Sequence, residues 1–216
     1  MALAQYIRPV AACAIGTFTS NVDMKSGTLA FGTPEYMRAT QIPEQLARFY
    51  GLPMRSSGVC AANVPDGQSM WETSKNFWAV VQSGSNMVYY VADWLEGGLI
   101  ASSEKFIMDC EVLQQIQRYM EPQTFATNED DIAVDAIKSI GSEGHFFGVE
   151  HTHERYTTAF YQPFLIDWRN YEGWKVAGAV WTPERAHGIC QCILESFEPP
   201  LMAPEIRDEW LRLSPI

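Results

Sequence analysis

The sequence predicts an α/β protein built on parallel strands. Short apolar runs rich in β-branched and aromatic residues alternate with longer stretches whose apolar residues recur at helical spacing. The order strand, helix, strand, helix calls for parallel strands joined by right-handed crossovers. A length of 216 residues allows one sizeable core or at most two small ones. Two architectures meet these conditions, an open doubly wound sheet and a (β/α) barrel. Neither G-x-G-x-x-G nor G-x-x-x-x-G-K-[ST] occurs, which removes support from the nucleotide-binding versions.

The elements follow in order. AACAIGTF, residues 11–18, is a short buried-strand candidate, followed by the polar loop TSNVDMKSG. Thr33-Pro34 opens a helix, with Thr as cap and Pro at the first position. Met37, Leu46, Phe49 and Tyr50 lie along it as far as Gly51, and Pro43 should kink or split it. PMRSSGVCA, residues 53–61, is the second strand. A helix from Asp66 or Gly67 carries Met70, Trp71, Ser74, Phe77, Trp78 and Val81, and Gly84 stops it. NMVYYVADW, residues 86–94, is the third strand. A helix from about Ser102 to Met120 places Phe106, Cys110, Leu113, Ile116 and Met120 on one face. Asn128 caps a further helix bearing Ile132, Ala136, Ile137 and Ile140, closed by Gly141. HFFG, residues 145–148, is a fourth and very short strand. Thr182-Pro183 starts a last long helix to about Phe197, and the Pro-rich tail, 199–216, should wrap the surface.

Composition narrows the function classes. The hydrophobic share of 47% and charged share of 19% are those of an ordinary globular domain. The formal net charge is −11 and no Lys/Arg cluster exists, so nothing is available to displace counterions from a nucleic-acid backbone. That charge suits solubility and cationic small molecules. No apolar run is long enough for a membrane span, and the N-terminal stretch lacks the charged, apolar and small-residue order of a signal peptide. A cytoplasmic protein is therefore expected. The five cysteines show no C-x-x-C, so reduced thiols are the default.

In a parallel barrel, function collects on the loops that follow each strand. Those loops are TSNVD (19–23), ANVPDGQ (62–68), DWLEGG (93–98) and GVEHTHERY (148–156), all polar. Three of the four histidines, His145, His151 and His153, fall within nine residues. His151-x-His153 has a spacing that metals use, and His145 would be a third ligand. No cysteine lies nearby to support zinc.

Four longer stretches are distinctive: GTFTSNVDMKSG, LARFYGLPMRSSGVCAANVPDGQ, ADWLEGGLIASSEKFIMDCE and DAIKSIGSEGHFFGVEHTHERY. In this order they resemble the trimethylamine methyltransferase family, corrinoid-dependent enzymes of methylamine metabolism, over roughly residues 5–195. The resemblance implies a (β/α)8 TIM-barrel fold. It also implies transfer of a methyl group from a methylated amine, trimethylamine-like or a quaternary amine such as a betaine, to the cobalt of a separate corrinoid protein. The family's proteins are about twice this length, and the likeness is to their C-terminal half. The chain would then supply about four β-α units plus C-terminal helices: residues 1–198 as half of a barrel domain, 199–216 as a tail. A half-barrel leaves two unpaired strand edges and an apolar interior facing water. It would pair with a second copy or a separate N-terminal half, or else be a gene fragment. Some family members carry pyrrolysine in the barrel; here the region around residues 57–60 reads SSGVC, which counts against trimethylamine itself. Ser57 and Gly58, at that point, are the positions expected to face the corrinoid. D-x-H-x-x-G, by which corrinoid proteins supply a cobalt ligand, is absent, so the cofactor belongs to the partner.

No catalytic residue is assigned. The corrinoid brings the nucleophile, so the chain must hold the amine, aim its methyl and exclude water. Aromatic faces hold quaternary ammonium groups by cation–π attraction. Tyr90, Trp94 and Phe146 are cage candidates, with core packing as the alternative. Asp23 and Glu96 would add negative charge, or simply form turns. Arg55 inside a barrel would grip a substrate carboxylate, or pair with Asp23, Asp66 or Asp93. His145 would face the site, with His151 and His153 fixing the next loop, and a purely structural role for all three stands beside this. A metal has no task in this chemistry. Two other readings compete: a non-catalytic half-barrel binding a partner chain or a quaternary amine, and a metal-dependent hydrolase built on the three histidines.

Overall fold

The computed structural model describes residues 2–122, 132–199 and 201–213. A short helix α1 (Ala2–Ile7) precedes strand β1 (Ile15–Gly16), helix α2 (Pro34–Phe49), β2 (Met54–Ser57), α3 (Gly67–Ser83) and β3 (Met87–Tyr89). These strands form a parallel sheet in the order β1-β2-β3, with Gly16 beside Arg55, Arg55 beside Met87 and Ser57 beside Tyr89. The mixed α/β class and parallel strands agree with the sequence. Among the described residues the sheet has three strands and does not close into a barrel.

The helix starts are set by local chemistry. Thr33 Oγ1 accepts from the Tyr36 amide at 3.3 Å, and the Asp66 carboxylate accepts from the Gln68 and Ser69 amides at 2.9 and 3.1 Å. Gly84 ends α3 in the left-handed region at φ 80°. Helix α2 runs through Pro43 without being split.

The strands are shorter than expected. The run 86–94 stops pairing at Tyr89 because Tyr90 and Asp93 take φ of 55° and 71°, a conformation no strand accommodates. Trp94–Leu95 (β4) then pairs antiparallel with Ile100–Ala101 (β5) around a tight turn at Glu96–Gly98. Helix α4 (Ser103–Met120) follows, capped by Ser102. Next come α5 (Val134–Ile140), α6 (Glu150–Arg155), α7 (Tyr171–Val176), α8 (Thr182–Glu195) and α9 (Pro204–Leu213). The cap expected at Asn128 lies outside the described residues. HFFG is not a strand: Phe146–Gly148 forms one 3-10 turn, since among the described residues no backbone ladder reaches it. The tail contains helix α9 rather than only a surface wrap.

The buried faces of the helices also differ from the apolar stripes. Helix α3 buries Ser69, Glu72, Thr73, Asn76, Ala79, Val80 and Ser83 and leaves Trp71 exposed. Helix α2 buries Tyr36, Thr40, Glu44 and Ala47 and leaves Leu46 and Phe49 outside. Small side chains let the two helices approach closely, and the polar ones reach the backbone of the strand ends. Helix α4 likewise buries Lys105, Asp109 and Glu111 along with Ile107, Met108 and Ile116, while Phe106 and Met120 are exposed. The main apolar cluster, Ile107, Met108, Leu165, Ala186 and Cys190, lies between α4 and α8. A second cluster, Phe31, Tyr36 and Val59 with Trp94 against it, sits by the ends of the strands.

Candidate functional site

Alternation along β2 sorts its side chains. Met54 and Ser56 are fully buried, on the side where α2 and α3 pack. Arg55 lies between them and so projects to the opposite face. Its guanidinium stacks over the Tyr89 ring, 5.3 Å from the centroid. It also lies against Gly16, where a Cβ would stand 3.2 Å from Nε. Any side chain at position 16 would crowd that guanidinium. Among the described residues the Arg55 guanidinium has neither hydrogen-bond nor ion-pair partner; Asp23, Asp66 and Asp93 do not pair with it.

Beyond the strand ends the rings gather. Tyr90 stacks on Trp94 at 4.0 Å between centroids and 25° between planes. Phe18, just after β1, meets Tyr90 edge-on at 6.3 Å and Phe31 at 5.1 Å. Tyr89 joins this group to Arg55, with its ring 6.1 Å from that of Tyr90. Tyr89 and Tyr90 are both about half exposed. The outcome is an open patch of aromatic faces beside one unpaired cation, at the carboxyl ends of parallel strands.

The loop behind the patch is held in strain. Tyr90, Asp93 and Glu96 all have positive φ, which persists only where surrounding contacts over-determine it. Those contacts are visible. The Glu96 and Gly97 amides donate to the Ala62 and Cys60 carbonyls, both at 2.9 Å, and the Cys60 thiol donates to the Trp94 carbonyl at 2.9 Å. The Asp93 amide donates to Asp109 Oδ2 at 3.1 Å. Asp109 pairs with Lys105, whose Nζ also donates to Thr73 Oγ1 at 2.8 Å, all fully buried. Burial pushes the Asp109 carboxyl up to about 6 although Lys105 opposes the shift. The Cys60 thiol is also raised by burial. Glu72 anchors the adjoining loop: Oε2 accepts from the Ala61 and Ala62 amides at 2.7 and 3.2 Å.

The expected site residues divide accordingly. Tyr90 and Trp94 stack on each other, and Arg55 is linked to them through the Tyr89 ring. Asp23 is exposed and accepts from the Lys25 amide and from the Ser26 amide and hydroxyl of its own turn, which lowers its pKa. Glu96 lines a cleft of about 820 Å³ with Glu72, Gln68, Asn63 and the 26–33 loop, Phe31 included. His145 and Phe146 are exposed near α6, where His145 meets only Phe147 among the rings, at 5.3 Å. Among the described residues no hydrogen bond, ion pair or ring contact joins Asp23, His145 or Phe146 to the patch, whereas the cleft lined by Glu96 shares Phe31 with it. Ser57 is buried and shares a 2.7 Å hydrogen bond with Tyr36 Oη. Gly58 is buried, and a Cβ there would stand 2.8 Å from Val91 Cγ2. Neither offers a surface to a cofactor. His145, His151 and His153 do not form a metal-holding group with other donors among the described residues. All five cysteines are free. Phe18, Phe31 and Tyr89 were not singled out in the sequence; Phe18 was legible as the residue ending the first strand.

Comparison with known proteins settles the kinship. The family model described as Trimethylamine methyltransferase (MTTB) matches residues 1–212. The chain belongs to the trimethylamine methyltransferase family. It is 37% identical over 207 residues to a protein named glycine betaine methyltransferase from Desulfitobacterium hafniense (strain Y51), covering 95% of this chain and 43% of that one. It is 30% identical over 185 residues to trimethylamine methyltransferase MttB of D. hafniense (strain DSM 10664 / DCB-2), covering 85% and 36%. With MttB2 of Methanosarcina mazei it shares 29% identity over 210 residues, covering 95% and 41%. The chain thus spans about two fifths of the length of these family members. Among the described residues no helix is long and apolar enough to cross a membrane.

Proposed function

We propose that this chain carries the amine-holding face of a methyltransferase. The reaction, placed in the cytoplasm, moves a methyl group from a methylated amine to the cobalt of a separate corrinoid protein, the acceptor substrate. The carbon–nitrogen bond breaks, and its electron pair stays on nitrogen as the methyl passes to the acceptor. The observation that carries the reading is the stacked Tyr90–Trp94 pair beside the unpaired Arg55 at the carboxyl ends of parallel strands. The rings receive the ammonium group at about 0.5–2 kcal/mol each. The Arg55 guanidinium receives a carboxylate by paired hydrogen bonds. A quaternary amine bearing an acid group, as in a betaine, fits this set better than trimethylamine, which has nothing to offer Arg55. Ser57 and Gly58, being buried, fix the strand end rather than touch the corrinoid. Negative charge from Asp23 and Glu96, and contact from His145 and Phe146, would require these segments to approach the patch in the assembled enzyme.

The fold reading follows the family. Residues 1–198 supply about half of a TIM-type barrel and 199–216 its tail. The exposed apolar side chains support a covering partner, either a second copy or a separate N-terminal half: Met87 and Tyr89 on the sheet, Leu46 and Phe49 on α2, Trp71 on α3. The same openness favours one alternative, a half-barrel that binds a quaternary amine without turnover, because the described residues leave Tyr89 and Tyr90 of the patch half exposed to water. The test is an anaerobic assay with cob(I)alamin and a panel of methylated amines, with this chain alone and with an N-terminal half added. Amine-dependent conversion of the cobalamin spectrum supports methyl transfer. Ligand-induced stabilisation without spectral change in either sample supports the binding module.

A further inference from the structure

On the other side of the strained loop lies a cavity of about 300 Å³, lined by Asp93, Ala101, Phe106, Cys190, Ile193 and Leu194 with Ser102 and Ser103. Its walls come from β5, the start of α4 and the end of α8, and they are mostly apolar. Asp93 is its one carboxylate. Among the described residues that carboxylate accepts no hydrogen bond and makes no ion pair. Burial raises its pKa, against the pull of Lys105. The other charges near it are already engaged. Lys105 pairs with Asp109, and Glu104 accepts from the Ser102 hydroxyl at 2.9 Å and meets His187 Nδ1 at 2.8 Å. Carboxylates outnumber cations around the cavity. An apolar pocket converging on one perturbed, unpartnered acid has the character of a small-ligand site.

We propose that this cavity binds a small protonated alkylamine, its N–H donating to the Asp93 carboxylate and its alkyl body lying against Phe106, Ile193 and Leu194. The ligand class is set by the donor. A quaternary ammonium has no N–H to give, whereas a primary, secondary or tertiary ammonium has at least one. The site is therefore chemically distinct from the Tyr90–Trp94 patch, and the inference does not depend on methyl transfer.

The experiment is calorimetric titration of the chain with n-butylammonium, with tetramethylammonium and neutral 1-butanol as comparison probes. The variants are Asp93→Asn and Ile193→Trp. Asparagine tolerates the left-handed backbone at position 93 (φ 71°) and keeps the amide that donates to Asp109. Tryptophan at the half-exposed position 193 fills the cavity from its rim. The expected result is saturable binding of n-butylammonium that exceeds both probes, weakens about tenfold or more in Asp93→Asn, and is lost in Ile193→Trp. Absence of binding by the native chain would overturn the proposal, as would equal binding by Asp93→Asn. Loss in Asp93→Asn with tetramethylammonium bound as well as n-butylammonium would overturn the N–H selectivity.

Discussion

Replacing Glu72 by Ala probes how the strand-end loops are held. The Glu72 side chain leaves α3 and passes over Gly32, where a Cβ would stand 2.4 Å from its Cγ. Its Oε2 satisfies the amides of Ala61 and Ala62, and its Oε1 accepts from Gln68 Nε2 at 2.8 Å. Alanine leaves two amides without an acceptor, each costing about 1–3 kcal/mol where water cannot reach. The Ala62 amide is buried, while Ala61 lines the open cleft and is partly rescued by water. The expected loss is roughly 2–4 kcal/mol. Glu72→Gln keeps one oxygen for the two amides and loses the charge assistance and the acceptor for the exposed Gln68 Nε2, together about 1 kcal/mol. Urea unfolding followed by circular dichroism measures both. The reasoning fails if Glu72→Ala unfolds within about 0.5 kcal/mol of the native chain, or if Gln and Ala cost the same.

Lys105→Met strands the buried Asp109 carboxylate and should cost about 3–5 kcal/mol, whereas the double variant Lys105→Met/Asp109→Leu should recover part of it. The same unfolding curves give both values; what the double variant does not recover is the Asp93 amide left without its acceptor, and a double variant no more stable than Lys105→Met would contradict the stranded-charge account. Asp109 also sets a pH dependence. Its folded pKa of about 6 lies above its ordinary value of 3.8, so the folded chain holds more protons between the two. Its contribution to stability is full below pH 3.8 and is lost as pH rises through about 6. Unfolding midpoints across that window, compared with those of the double variant, isolate this contribution by its sign. Tyr90→Ala removes the exposed ring of the stack and should weaken binding of tetramethylammonium by about 0.5–2 kcal/mol, read by calorimetry. An unchanged affinity would remove Tyr90 from the ammonium site.

The parts of the fold written in local chemistry were legible. Thr33-Pro34, Asp66, Gly84 and Ser102 act on their own neighbours, and they mark helix ends in the structure where the sequence put them. What depends on distant partners was not. A strand exists only where a neighbour pairs with it, so 86–94 read as one strand although it turns away after Tyr89, and HFFG had no ladder to join. The helix faces misled for a related reason. Glu72 and Asn76 look like surface residues until the loop amide or carbonyl each one meets is known. Lys105 and Asp109, four apart on α4 and outside its apolar stripe, are fully buried. At the candidate site, Arg55, Tyr90 and Trp94 were legible because they follow from strand order. Asp23 was equally visible, but its turn uses it. Tyr89 was hidden within its strand until the structure set Arg55 over its ring.

The most direct test of the Arg55–Tyr90–Trp94 site is one titration series: glycine betaine and tetramethylammonium against the native chain and Arg55→Met. If Arg55 receives a carboxylate and the rings receive the ammonium, glycine betaine binds the native chain more tightly. Arg55→Met should then lose that preference, with glycine betaine affinity falling about tenfold or more and tetramethylammonium scarcely affected. Equal affinities for the two ligands in the native chain, or a preference that survives Arg55→Met, would contradict it.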